Sequence, residues 1–456
     1  MIHDDIKLTI SNDQLDHNFF PTKVTIYYTK KMKVAIEGCC HNKLEEIYKA
    51  LEHIESVENI KIDLLLICGD FQAIRNTEDF KSLSVPAKYR TLGSFYKYYT
   101  GELKAPYPTL FIGGNHEVIS YLWELYHGGW VCENIYFLGY AGVVNFGGLR
   151  IGGMSGIYNH WNYNVGHFET LPYNESTVRS AYHTRKYDVY KLAQIRQPLD
   201  IFLSHDWPTG ITNFGNVNKL LKTKPFFGPD IATGKLGSIA CDELLFKLKP
   251  KYWFSAHLHV KFSAVVYHDE RTTSYSENEI NIDLKDDVNQ EEKNKESNNE
   301  KTLQDYIIED EKKEQIPCTK FLALDKCLPD RDFLQIIDFP EANGKFEFSY
   351  DEEWLAITKA TQEYLTLSSN AKPLPPDNEI QKKIEEELRW VQENISQIEA
   401  GLVIPNNFQP TAPAYGQQQT FILQQPFKNP QTEDFTKLLK IQNKINPEGQ
   451  SPIRQD

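Results

Sequence analysis

The sequence predicts an α/β protein built on a largely parallel sheet. Three observations carry the prediction: short apolar β-rich runs alternate with helical segments, glycines follow those runs, and polar residues able to do chemistry stand directly after them. In order, KVAIEG (33–38), KLEEIYKALEHIE (43–55), IDLLLICGDF (62–71) and TLFIGGNHE (109–117) read as strand, helix, strand and strand. The glycine-studded IYFLGYAGVVNFGGLRIGGMSGIY (135–158) reads as successive strands and turns, and LDIFLSHD (199–206) and YWFSAHLH (252–259) resume the buried-strand pattern.

The chain has 456 residues, enough for one large domain and a smaller one appended to it. Residues 1–31 show no strong period before the second methionine, Met32, and are expected to be a peripheral, flexible extension or the product of a mistaken start. The main domain is expected over 32–268. Residues 269–315 form an acidic, Asn/Gln/Ser-rich insert, expected to be disordered because it has too little apolar surface to bury. Folded character returns over 316–400, with FLALDKC, FLQIIDF and the charged helical pattern EIQKKIEEELRWVQENI. The Gln/Asn/Pro-rich remainder, 401–456, is expected to be a disordered tail.

Charge and cysteine usage bound the function. The net charge of −14 argues against a basic nucleic-acid footprint, but it is unevenly placed. Residues 269–314 hold 16 acids and 7 bases, so the rest carries only −5, 47 acidic against 42 basic. The seven cysteines are odd in number and scattered, unlike a secreted disulfide framework, and a reducing intracellular compartment is expected. No apolar run approaches the roughly 20 residues of a membrane span.

Metal-type donors follow five strand-like runs: Cys39-Cys40-His41, Gly69-Asp70, Gly113-Gly114-Asn115-His116-Glu117, Ser204-His205-Asp206 and His257-Leu258-His259. In open α/β sheets, ligand groups gather beyond the carboxyl ends of strands, so the five can converge on one crevice. A single His such as His205 is more often a satisfied structural residue, and Gly-Asp or Asn-His pairs are common in turns. The ordered set of imidazole, carboxylate, amide and thiol donors points to a dinuclear metal site.

These motifs resemble those of the calcineurin-like metallophosphoesterases: Asp-x-His, Gly-Asp, Gly-Asn-His-Asp/Glu, a later His, then Gly-His-x-His. Two positions depart, Cys39 for the usual Asp and Ala256 for the Gly before the last pair. Both departures are shared by the RNA lariat debranching enzymes, which the chain also resembles in EGCCH, GGNHE, GGWV, SGIY, SHDWP and FSAHLHVKF, and further on in CTKFLALDKCLPDRDFLQIIDF and YDEEWLAI. Asn42 stands where that family commonly has Gly.

The resemblance implies a metallophosphoesterase fold, layered β-sheets flanked by helices, with a smaller C-terminal domain. It implies a metal-dependent phosphodiesterase that hydrolyses the 2′–5′ bond of branched, lariat intron RNA in the nucleus, acting as a monomer. Cys39, His41 and His259 would hold one divalent cation and Asn115, His205 and His257 the other, with Asp70 bridging. His116 would face the phosphate as the catalytic acid or charge stabiliser. The thiolate of Cys39 favours Fe²⁺ or Zn²⁺, with Mn²⁺ as a substitute. Residues 155–185, dense in aromatics, correspond to a lariat recognition loop, with Tyr158, His160, Arg179, His183 and Arg185 as RNA contacts and with Trp161 and Phe168 expected to pack on the sheet. Asp206 and Glu117 are expected either to orient ring N–H groups or to be plain surface carboxylates. A general phosphodiesterase or nuclease on the same metals, and a noncatalytic scaffold, remain open alternatives.

Overall fold

The computed structural model describes residues 7–9, 25–27, 31–268, 316–417, 423, 425–449 and 451. The expected disordered insert, 269–315, lies outside the described residues. Most of the expected flexible extension, 1–31, does too. Within it the strands β1 (Lys7–Thr9) and β2 (Thr25–Tyr27) pair antiparallel.

Two mixed sheets face each other. In chain order their strands are β3 (Met32–Glu37), β4 (Leu64–Ile67), β5 (Thr109–Phe111), β6 (Gly129–Cys132), β7 (Ile135–Phe137), β8 (Ala141–Phe146), β9 (Leu149–Met154), β10 (Ile201–Ser204), β11 (Tyr252–Ser255), β12 (Phe262–Tyr267), β13 (Cys318–Ala323), β14 (Leu334–Phe339) and β15 (Phe348–Tyr350). One sheet runs β14-β3-β4-β5-β7-β6 and the other β12-β13-β11-β10-β9-β8-β15. The expected parallel character holds at both centres, where β3, β4, β5 and β7 are parallel, as are β9, β10, β11 and β13; antiparallel strands close the edges.

The period-2 geometry of a strand explains the layering. Val34, Ile36, Leu64 and Leu66 point between the sheets, where they meet Ile201, Leu203 and Phe254. Ala35, Leu65 and Ile67 point the other way, under helix Leu44–Glu58, which contributes Leu44, Ile47, Tyr48 and Leu51 at helical spacing. That helix stops at Asn59, whose left-handed backbone an Asn tolerates. On the far side, Phe202 and Trp253 pack against helices that include Ile239–Leu248, capped by the Ser238 hydroxyl.

The C-terminal region is woven into this body. Strand β13 lies between β12 and β11, β14 extends the first sheet beside β3, and β15 extends the second.

The tail, expected to be disordered over 401–456, is instead folded across the molecule through 401–417 and 425–449, including the helix Pro430–Leu438. Its polar residues are the physical reason, because they pair with groups that would otherwise be buried without partners. Thr411 Oγ1 donates to Glu124 Oε2 at 2.6 Å and accepts from Arg75 Nη1 at 3.1 Å. Gln431 exchanges two bonds with the Trp130 backbone, and Asn446 accepts from Trp123 Nε1. Arg75, with no exposed surface, also pairs with Asp79 and Glu124.

Candidate metal centre

Every expected donor stands beyond the carboxyl end of a strand, and the chain turns sharply there. His41, Asp70, His257 and His259 have φ of 44°, 51°, 63° and 51°, with Asn42 and Gln72 beside them at 64° and 62°. Left-handed backbone at non-glycine residues costs free energy and concentrates at functional sites. Asn42, the departure from the family pattern, fits its place: Asn tolerates this region, and its Nδ2 donates to Thr91 O at 3.1 Å. Glycines make the close approaches, since a Cβ on Gly69 would strike the His205 ring and one on Gly114 would strike Asp70 Oδ1.

The donors converge. Single donor atoms of Cys39, His41, Asp70 and His259 all lie within 4.8 Å of one another, the one such grouping among the described residues. His41 Nε2 and His259 Nε2 are 3.1 Å apart. Asp70 Oδ2 is 3.6 Å from His41 Nε2, and Asp70 Oδ1 is 3.4 Å from His205 Nε2. Asn115 Oδ1 lies 3.2 Å from the same His205 nitrogen, and the His257 ring centroid lies 5.0 Å from that of His205. The two triads are therefore adjacent, with Asp70 between them.

The electrostatics fit cations. Burial opposes the charge on Asp70, but His205 and then His41 outweigh it and hold the carboxyl well below its usual range. Burial pushes His41 down to about 4 and His259 to about 3, leaving both rings neutral with a free lone pair near pH 7. Burial and then Asp70 push the Cys39 thiol up, so a thiolate is favoured there only beside a cation. Two imidazoles with their Nε2 atoms 3.1 Å apart, around a buried carboxylate and a thiol, match the donor chemistry of transition-metal sites.

A layer behind the donors fixes them. Glu117 has no exposed surface and accepts from the backbone N–H of Phe71, Gln72 and Gly114 at 2.7, 2.8 and 3.0 Å, locking the Asp70 turn against the Gly114 turn. It is thus neither an exposed carboxylate nor a partner for a ring N–H. Burial, then Asp70, raises its carboxyl to about 7. Asp206 accepts from the backbone of Trp207 and Tyr158, tying the 155–185 loop to the His205 turn. His205 Nδ1 is 2.7 Å from Cys68 O, which directs Nε2 at Asp70. His116 Nδ1 is 2.8 Å from Ser84 O, a partner that the sequence did not suggest, and its backbone N–H donates to Asp70 Oδ1 at 2.8 Å.

The loop residues divide. His160 and Arg179 are exposed, and Tyr158 is partly so, its ring 5.3 Å from that of Tyr163. His183 is half-buried, and burial pushes it down to about 4. Arg185 does not fit its expected role as an RNA contact: it is fully buried, paired with Glu169 at 2.6 Å and donating to the carbonyls of Gly166, Ser180 and His183. It pins the loop from within. Trp161, expected to pack on the sheet, is 83% exposed.

Residues 32–261 match the calcineurin-like phosphoesterase model, and 316–444 match the lariat debranching enzyme C-terminal domain. The chain is 48% identical to the lariat debranching enzyme of Arabidopsis thaliana, over 90% of this chain and 86% of that protein. It is 45% identical to the enzyme of that name from Danio rerio (92% and 68% covered) and 44% identical to the one from Homo sapiens (90% and 69%). The chain belongs to the lariat debranching enzyme family. Its phosphoesterase region implies divalent metal ions at the centre described above.

Proposed function

We propose that this debranching-family chain hydrolyses the 2′–5′ phosphodiester at the branch point of excised lariat introns, in the nucleus. The observation that carries the reading is the place of Asp70, whose two carboxylate oxygens face His41 on one side and His205 on the other. Cys39, His41 and His259 would hold one cation and Asn115, His205 and His257 the other, with the Asp70 carboxylate available to both; the thiolate would favour Fe²⁺ or Zn²⁺, with Mn²⁺ able to replace them. When bound, such a pair lowers the pKa of a water and draws the attacking and leaving oxygens into line.

The protein's own groups do the rest. His116 keeps Nδ1–H on the Ser84 carbonyl and Nε2 3.2 Å from Asn115 Nδ2, so the ring acts on the phosphate through Nε2; in its imidazolium form it either stabilises developing charge or gives its Nε2 proton to the departing 2′ oxygen and is left neutral. Glu117 keeps the Asp70 and Gly114 turns from separating as charge shifts. Tyr158, His160, Arg179 and His183 face the unpaired nucleotides around the branch, by stacking and phosphate contact.

The test is a comparison of three substrates: branched 2′–5′ RNA, linear 3′–5′ RNA and a small aryl phosphodiester. Strong preference for the branched RNA is expected, with activity and bound metal both lost in Asp70→Ala. Preference for the linear or aryl substrate removes the debranching reading.

A further inference from the structure

Outside the 155–185 loop, a cluster of lysines and one exposed aromatic ring gather around the turn Pro225–Phe227. Phe226 is 68% exposed, whereas its neighbour Phe227 is 6% exposed and packed in the core. Their rings meet edge to face at 4.8 Å, so the buried ring holds the exposed one in place. Pro225 opens the short 3₁₀ turn Pro225–Phe227, and Lys224 Nζ lies 6.0 Å from the Phe226 ring centroid. Residues 217–236 carry four lysines, at 219, 222, 224 and 235, against the single acid Asp230.

The same cluster reaches the metal centre through the C-terminal region. Lys326 forms a parallel bridge with Cys39, and Cys327 N–H donates to Cys39 O at 3.2 Å, so Lys326 stands beside the first donor turn. Its charge acts on His41 and His259, and Lys224 feels the charge of Asp325 first, then those of Arg331 and Lys326. Neither Lys224 nor Lys326 has an ion-pair partner among the described residues, while the nearby acids Asp325 and Asp332 pair with Arg331 and Lys261. A flat exposed ring beside unpaired ammonium groups, continuous with a phosphate-cleaving centre, is the arrangement that holds single-stranded nucleic acid without reading its sequence.

We propose that the Lys224–Phe227 turn and Lys326 form a second RNA-binding surface, which carries one single-stranded limb of the branched substrate away from the metal centre. Phe226 stacks a base and the lysines follow the phosphates. The surface rests on the debranching reading for its substrate and adds a site outside the 155–185 loop.

The experiment compares wild type with Phe226→Ala, Phe226→Trp and the pair Lys224→Ala with Lys326→Ala. The substrates are branched RNAs whose limbs are extended by about ten nucleotides or trimmed to one. Binding of a linear single strand is followed by fluorescence anisotropy across a salt series. Phe226→Ala is expected to raise KM about 10-fold on a long-limbed substrate, with kcat unchanged, and Phe226→Trp to restore it. The lysine pair is expected to flatten the slope of log affinity against log salt by about 0.7 for each lysine removed. Trimming the limb is expected to abolish the KM difference. Equal losses on long and trimmed substrates, or none on the long one, overturn the surface. Wild type that binds the single strand through Phe226 yet leaves branched RNA uncut overturns the debranching reading instead, which keeps the two failures apart.

Discussion

Thr411→Val tests whether the tail is part of the fold. The side chain has no exposed surface, and valine matches its shape while removing the hydroxyl. That hydroxyl donates to Glu124 Oε2 at 2.6 Å and accepts from Arg75 Nη1 at 3.1 Å, both charged and both buried. Hydrogen bonds to charged partners contribute about 1.5–3 kcal/mol each, and the added methyl returns about 0.8 kcal/mol. Arg75 and Glu124 keep each other at 3.0 Å, so the loss falls near the lower end, about 3 kcal/mol. With an m of about 3 kcal/mol/M, the urea midpoint drops by about 1 M, and hydrogen exchange over 401–449 accelerates alongside it. Thr411→Ser, which keeps the hydroxyl, stays near wild type. A Thr411→Val midpoint that moves by less than about 0.5 kcal/mol in equivalent stability, with exchange unchanged, would refute the reasoning and return the tail to the solvent.

Three further outcomes are expected. Glu117→Gln offers one acceptor oxygen where the carboxylate offers two to three backbone donors, so metal affinity falls about 10- to 100-fold in a metal titration while the melting profile still reports a folded protein; unchanged affinity contradicts the role assigned to Glu117. Burial and then Lys191 push His127 down to about 3, so the folded state keeps it neutral while the unfolded chain takes up a proton below about pH 6.5. Its contribution is complete above that pH and lost as pH falls toward 3, by about 2 kcal/mol between 6.5 and 5. His127→Phe, which keeps the ring against Phe435, should flatten that part of the stability profile, and parallel profiles would show the idea wrong. Finally, Tyr267 and Cys318 are directly paired where β12 ends and β13 begins, so replacing 269–315 with Asn-Gly should join them through a five-residue hairpin loop and leave turnover on branched RNA within about 2-fold. Collapse of turnover in a folded variant would assign the insert a role in catalysis.

The metal donors were legible because the feature that identifies them is local: a polar turn directly after an apolar run, five times over, three of them opened by glycine. What the sequence hid was pairing across distance. Arg185 looked like a phosphate contact because nothing near it announces Glu169, sixteen residues earlier, which neutralises it inside the loop. Trp161 looked like core because large aromatics usually are, yet it sits on a four-residue helical turn, His160–Tyr163, with no buried face to offer it. The tail failed for the opposite reason. Composition counts Gln, Asn and Thr as solvent-seeking, and Thr411, Gln431 and Thr432 are buried because Glu124 and the Trp130 backbone need partners. Glu117 could have been recognised only by asking which group satisfies the amides of the turns at Phe71 and Gly114.

The interleaving of β13 and β14 has a consequence during synthesis. A ribosome that has released only the first 261 residues has made every imidazole of the metal centre, but β11 still lacks its neighbour β13 and β3 lacks β14. Two unpaired strand edges then wait for segments not yet synthesised, and such edges invite aggregation unless a chaperone covers them. Nascent chains stalled at that length should be protease-sensitive, and those released past residue 449 resistant.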